Sequence, residues 1–436
     1  MSRLEHRLAE ADSSVRSILE RSIEGRRLKT SDAIQLVGAR ESNLEALCAS
    51  ADWLRAEQAG STVTYVVNRN INFTNVCVKS CRFCAFARGV RSEEAYFLEP
   101  EDVIERTQQA QALGATEVCI QAGLAPIENP RFYIDLITAL KQACPDIHIH
   151  AYSPEEIVYG AERMGLPLAP YLEQLRDAGL GSLPGTSAEI LDDRIRDRIA
   201  PGRLSTQAWI EVIRTAHSLG IPTTSTLMFG HVESPEDRVH HMGLLRTIQE
   251  ETGGFTEFVP LSFVHEAAPL FVDEELSGVR SGPSAAEVRA LYATARLMLG
   301  ASFRNIQASW VKEGPEVARA LLRCGVNDLG GTLMNESIST TAGARNGQFM
   351  SPATLRSIIR SVDRDPAERS TTYSIIRRFA RNAGADGDAL EPLDNVSDAN
   401  SIFGSYAALA ADDGHRFRMP DRPARKITPD HDLSSA

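Results

Sequence analysis

Beyond Gly60, short β-branched or apolar runs alternate with longer amphipathic stretches, and this alternation constrains the fold more than any other feature. Residues 71–74, 117–121, 148–151, 181–183, 223–229, 255–260, 305–308 and 327–329 read as strands. Residues 100–113, 131–143, 171–178, 206–219 and 236–251 carry apolar residues at helical spacing. Strands separated by helices at roughly 20–45 residues are the pattern of parallel βα units. The fold class expected is therefore α/β. Eight units close a (β/α)8 TIM-type barrel, and an open (β/α)6 partial barrel is the alternative.

The pattern divides the chain of 436 residues into three parts. Residues 1–60 read as an N-terminal helical segment, with Thr30 placed to cap one of its helices. Residues 61–380 hold the barrel and its closing elements. Residues 381–436 are rich in Asp, Ala, Ser, Gly and Pro, and an acidic, flexible tail is expected there.

Charge and hydropathy narrow the function classes. The net charge is −12, without a long basic run or interleaved arginines and aromatics, which argues against a nucleic-acid partner. No run of 18 apolar residues occurs and the first twenty residues lack the apolar core of a signal peptide, so a cytoplasmic protein without a membrane partner is expected.

Three of the seven cysteines, Cys77, Cys81 and Cys84, lie within eight residues at C-x3-C-x2-C spacing. One loop can wrap three such thiolates around a single metal centre, and thiolates favour zinc or iron–sulfur clusters. A structural zinc needs a fourth Cys or His nearby, but the next are Cys119 and His148, outside this loop. Three ligands for four irons leave one iron open. A zinc loop, an electron carrier and a cluster enzyme all stand at this point. The barrel-sized remainder of the chain speaks against a simple carrier.

The triad resembles the signature of the radical S-adenosylmethionine (SAM) superfamily, and it follows a strand as that signature does. The resemblance implies a 4Fe-4S cluster whose open iron chelates the amine and carboxylate of SAM, with a 5′-deoxyadenosyl radical as the reactive species. It implies that Phe83 packs on the adenine, and that Gln121 and Gly123 border the methionyl group, where a glycine permits close backbone approach. It also implies that Glu189 holds the ribose or amine of SAM.

Further blocks are more discriminating. They include Leu183-Pro184-Gly185-Thr186, Ile306-Gln307-Ala308-Ser309-Trp310-Val311-Lys312 and Asn327-Asp328-Leu329-Gly330-Gly331-Thr332-Leu333. With the triad they resemble the tyrosine-using family of FO synthase subunits over residues 10–380. Leu261 stands where the sibling futalosine cyclases usually carry tryptophan, and Tyr152 where this family is expected to carry phenylalanine.

The resemblance implies transfer of the 4-hydroxybenzyl group of L-tyrosine to 5-amino-6-(D-ribitylamino)uracil in deazaflavin biosynthesis, with 2-iminoacetate, methionine and 5′-deoxyadenosine released. It also implies an external one-electron donor and a second radical SAM subunit that closes the ring. Two other readings are a sibling enzyme of the futalosine pathway to menaquinone and a non-enzymatic metal or redox protein.

Catalytic groups of a βα barrel come from the C-terminal ends of its strands. Polar residues there include His150, Ser153, Glu155, His265, Glu266, Gln307 and Ser309. Among all such positions Asn72 and His231 are expected to be catalytic, the histidine as acceptor of the proton that leaves the uracil ring. Asp328, Asn335 and Glu336 bind the ribityl chain or close the barrel. Lys79 and Arg82 are expected in solvent, and Cys119 and Cys144 in packing.

Overall fold

A computed structural model describes residues 3–274, 276–382, 388 and 391–419. Its centre is a closed ring of parallel strands. The strands are β1 (Thr62–Val66), β2 (Asn68–Ile71), β3 (Glu117–Ile120), β4 (His148–Ala151), β5 (Thr223–Phe229), β6 (Phe255–Ser262) and β7 (Asp328–Gly331). Two shorter staves, at Ser182–Leu183 and Ile306–Gln307, join as single bridges. Following the pairs, β2 meets β3, β3 meets β4, and His150 bridges Ser182. Leu183 bridges Thr223, β5 meets β6, Phe258 bridges Ile306, and Gln307 bridges Asp328. Finally β7 pairs with β1, which runs through Val67 into β2. With β1 and β2 counted as one broken stave, the ring has eight staves and is a (β/α)8 barrel, not an open six-unit sheet.

The helices between staves start where the sequence supplies caps. Ser153 and Glu156 form a capping box with Pro154 at the first turn, and Ser234 with Asp237 and Pro235 repeats the arrangement. The helix Pro154–Met164 stops at Gly165, whose φ of 63° suits a residue without Cβ. Four helices precede the barrel: Arg3–Glu10, Ser13–Ile23, Thr30–Val37 and Glu41–Ala59. Lys29, not Thr30, is the cap residue of the third, and no side chain bonds there.

Two strands lie outside the ring. β8 (Asp365–Arg369) pairs parallel with β1, and β9 (Ile375–Arg378) pairs antiparallel with β8. Where a flexible tail was expected, residues 391–419 pack on the barrel. Leu393 and Phe403 are buried. Buried Arg356 bonds Asp388 (2.9 Å), Glu391 (2.6 Å) and Asp394 (3.1 Å). The Tyr406 ring stands 5.5 Å from Phe86 and its hydroxyl accepts from Asn75 Nδ2 at 3.1 Å, so this segment reaches the flank of the cysteine loop. Residues 383–387, 389–390 and 420–436 of the expected tail lie outside the described residues.

Side chains along a strand alternate sides, and in this barrel much of the inward set is polar. Asn68, Asn70 and Asn72 face inward from β2 and its exit, Glu117, Cys119 and Gln121 from β3, and Glu257 with Val259 and Leu261 from β6. Polar inward positions leave room for a cavity where many barrels pack branched aliphatics.

Candidate active site

The cavity has a volume of about 420 Å³ and opens at the C-terminal ends of the staves. Cys77, Cys81 and Cys84 line one side of it. The loop that carries them is held by main-chain bonds: Cys77 N–H to Arg88 O (3.0 Å), Cys84 N–H to Cys81 O (3.1 Å) and Arg82 N–H to Ile199 O (2.9 Å). Burial lifts the thiol of Cys81 to about 12 and also raises that of Cys84. Metal binding at these sulfurs must therefore displace protons. Among the described residues no three His, Cys, Asp or Glu side chains gather as they would round a single ion. The ligands of a cubane need not gather so tightly, because each binds a different iron.

Gly123 sits against this loop. Its N–H donates to Thr74 O at 2.9 Å, and a Cβ there would meet the Val76 carbonyl oxygen at 2.1 Å. Because the obstacle is backbone, neither side can yield cheaply. Gly123→Ala is expected to cost about 1–3 kcal/mol and to lower the iron held per chain, both measurable by denaturant titration and iron assay.

Gln121 and Asn72 interlock beside Gly123. Asn72 Nδ2 donates to Gln121 O at 2.7 Å, and Gln121 Oε1 accepts from Thr186 at 2.7 Å. Asn72 Oδ1 and Asn70 Oδ1 are buried without a partner among the described residues. An unpaired buried acceptor is costly and marks a place for a donor to arrive.

Beside the cysteines lies a knot of charges. Arg203 Nε donates to Glu155 at 3.0 Å and its Nη1 to Glu189 at 3.1 Å, while Lys79 pairs with Glu155 at 3.2 Å. Lys79 is thus tied into the site rather than solvated. Burial alone would raise Glu155, but Arg203, the Leu204 N–H and Lys79 hold it below the usual carboxylate range. The guanidinium carbon of Arg203 lies 5.7 Å from the centre of the Phe83 ring, which faces the cavity.

The floor is a second polar network. Arg369 donates to Asp328 at 2.6 and 3.0 Å. Tyr373 donates its hydroxyl to Glu257, and Gln307, with its amide nitrogen turned toward Glu257, donates at 2.8 and 3.1 Å. Burial pushes Glu257 up to about 7, against the pull of Arg369.

The geometry brings together Cys77, Cys81, Cys84, Phe83, Gln121, Gly123, Glu189 and Asn72 around one cavity. It does not bring His231 there. That ring is fully buried, with Nε2 donating to Met228 O at 3.1 Å and Nδ1 accepting from Val232 N–H at 2.8 Å. Both ring nitrogens are spent, and burial lowers its pKa, so it is a neutral structural group. Cys119, expected in packing, faces the cavity. Arg203, Glu257 and Lys312 also line it, although none was singled out from the sequence as a site residue. Glu257 had a signal, an acid in phase with Val259 and Leu261 along one strand.

Residues 71–245 match the radical SAM superfamily, and residues 252–382 match the CofH/MqnC C-terminal region. The chain is 48% identical over 342 residues to the 5-amino-6-(D-ribitylamino)uracil–L-tyrosine 4-hydroxyphenyl transferase of Methanothermobacter thermautotrophicus, covering 78% of this chain and 92% of that protein. The chain belongs to this family of radical SAM enzymes. The Methanocaldococcus jannaschii transferase is 47% identical over 329 residues, covering 75% of this chain and 91% of that protein. The FO synthase of Nocardia farcinica is 48% identical over 345 residues, which are 79% of this chain and 40% of that longer protein.

Solved structures agree on the fold. Methylornithine synthase matches with a TM-score of 0.59 at 20% identity, over 79% of this chain and 95% of that one. The FeFe-hydrogenase maturase HydG of Carboxydothermus hydrogenoformans matches with a TM-score of 0.64 at 15% identity, over 85% and 83%. As a radical SAM enzyme the chain uses a 4Fe-4S cluster and SAM, and a three-thiol loop facing a polar cavity suits that pair. No helix among the described residues is long and apolar enough to cross a membrane.

Proposed function

We propose that this enzyme transfers the 4-hydroxybenzyl group of L-tyrosine to 5-amino-6-(D-ribitylamino)uracil in deazaflavin FO synthesis, releasing 2-iminoacetate. The observation that carries the reading is the identity of 47–48% over nearly the full length of two transferases that bear this name, joined to one cavity with a cysteine loop on one side and a polar floor on the other.

Cys77, Cys81 and Cys84 would hold the 4Fe-4S cluster, with SAM beside it in the same cavity. When bound, the reduced cluster and SAM supply a hydrogen-atom abstractor. Phe83, Gln121, Gly123 and Glu189, which line the same cavity, would hold SAM. The free carbonyl oxygen of Asn72 accepts an N–H from substrate or cofactor.

Glu257 takes the part that the sequence assigned to His231. Its carboxylate faces the cavity, and an acid near 7 is suited to accept the proton that leaves the ribitylamino nitrogen of the adduct, since carbon 5 carries an amino group and no hydrogen. Turnover is expected to fall as the pH drops below about 7, where Glu257 is protonated. Glu257→Gln should remove that limb of the profile while SAM binding stays intact.

The electron comes from an external one-electron donor, and a second radical SAM subunit, as the longer FO synthases suggest, closes the deazaflavin ring. The test is anaerobic turnover of reconstituted enzyme with SAM, reductant, L-tyrosine and the ribitylaminouracil, read by mass spectrometry. An adduct joining the uracil to a 4-hydroxybenzyl group, with 5′-deoxyadenosine beside it, is the expected product. Deoxyadenosine without the adduct sinks this reading and favours a futalosine-type substrate.

A further inference from the structure

We propose that Lys312 receives the α-carboxylate of the amino-acid substrate and so selects an amino acid over the corresponding amine. The inference rests on the transferase reading above and adds to it a specificity residue.

Four cationic side chains line the cavity: Lys79, Arg203, Lys312 and Arg369. Three are committed. Lys79 pairs with Glu155, Arg203 with Glu155 and Glu189, and Arg369 with Asp328. Lys312 stands in the short helix Trp310–Glu313, just past the stave at Ile306–Gln307, so its side chain rises at the cavity mouth. Its side chain makes no hydrogen bond or ion pair among the described residues. Two acids flank it and both are occupied. Glu313 accepts from Ser262 Oγ at 2.5 Å, and Glu336 accepts from Asn70 and from the Ser339 N–H at 2.6 Å. They pull on the Lys312 charge from a distance, while burial lowers its pKa.

A half-buried ammonium that faces the cavity without a protein partner is stabilised when an anion arrives. Among the small molecules of the reaction, the ribitylaminouracil has no carboxylate, and that of SAM is spent on the open iron. The carboxylate of tyrosine remains. It stays on the two-carbon fragment after the Cα–Cβ bond breaks, so one contact serves substrate and co-product alike.

The test is equilibrium dialysis of labelled L-tyrosine, and of tyramine, against anaerobic holoenzyme with SAM and without reductant. The wild type is expected to bind tyrosine the more tightly. Lys312→Met, which keeps the stem, should weaken tyrosine binding by roughly 10- to 100-fold, the worth of a charge-assisted bond. Tyramine binding, iron content and SAM binding should stay at wild-type levels. Lys312→Arg should recover part of the loss. The proposal falls if Lys312→Met binds tyrosine as the wild type does, or if tyrosine and tyramine weaken by the same factor. It also falls, whatever the variants do, if the wild type holds tyramine as tightly as tyrosine. A wild type that forms the adduct while Lys312→Met keeps its tyrosine affinity overturns this inference alone. A wild type that binds no tyrosine overturns the transferase reading with it.

Discussion

Replacing Cys81 with alanine is expected to give a folded chain that holds no stable cluster and whose turnover falls below detection. The bonds that shape the loop are main-chain bonds, from Cys77 N–H to Arg88 O and from Arg82 N–H to Ile199 O, and none uses a sulfur of the triad. Cys81 is only partly buried against the core, so losing its sulfur should cost about 1 kcal/mol or less in stability. Function is another matter. Two thiolates cannot hold three irons of a cubane, and the cofactor carries the hard chemistry. Iron and sulfide per chain, measured beside the thermal midpoint, separate these effects. Cys119→Ala is the control, because Cys119 faces the same cavity from β3. It should keep full iron content. If Cys119→Ala loses the cluster and Cys81→Ala keeps it, the ligand set is wrong.

Local patterns in this chain were readable and tertiary ones were not. Seven of the eight staves were placed from runs of β-branched and apolar residues, with β5 at Thr223–Phe229 on its expected bounds, while the strand expected at 71–74 meets β2 only at Ile71. β1 escaped because Thr62–Val66 joins β2 through Val67, and the strand was sought only beside the cysteine loop. His231 misled because the end of a strand does not say which way the chain then turns. Gly230, at φ 92°, turns it so that the ring packs under the strand, edge-on to Phe263 at 6.0 Å. The acidic tail misled through its composition. Its anchors, Leu393, Phe403 and Tyr406, are sparse, and what they meet lies far away in sequence, as Arg69 under the Phe403 ring at 5.5 Å shows. Arg203 had no local signal, since its partners come from elsewhere in the chain, Glu155 from the first turn of the helix Pro154–Met164 and Glu189 from another loop.

Arg203 is the residue whose loss should then reach furthest beyond the cysteines. Arg203→Met keeps the stem but removes a charge shared by two carboxylates, each no more than 10% exposed. Breaking a buried pair by deleting one partner costs about 3–5 kcal/mol. The lower end is expected, because Glu155 keeps Lys79 at 3.2 Å and Glu189 keeps Arg196 at 3.6 Å. Glu189 is then free to swing toward the cavity, and SAM affinity should fall with it. Arg203→Lys should recover little, since one ammonium cannot serve two carboxylates in the fork that a guanidinium offers. The positive charge near Cys81 goes as well, so the reduced cluster is less stabilised and its midpoint potential should fall. A double-mutant cycle with Glu189→Gln tests the cause, with a coupling above about 1 kcal/mol expected for groups in direct contact. If Arg203→Met weakens stability but leaves both SAM affinity and midpoint potential unchanged, the charge knot only braces the barrel mouth. If affinity and potential move together, the same guanidinium sets the cofactor's seat and the cluster's electrostatics.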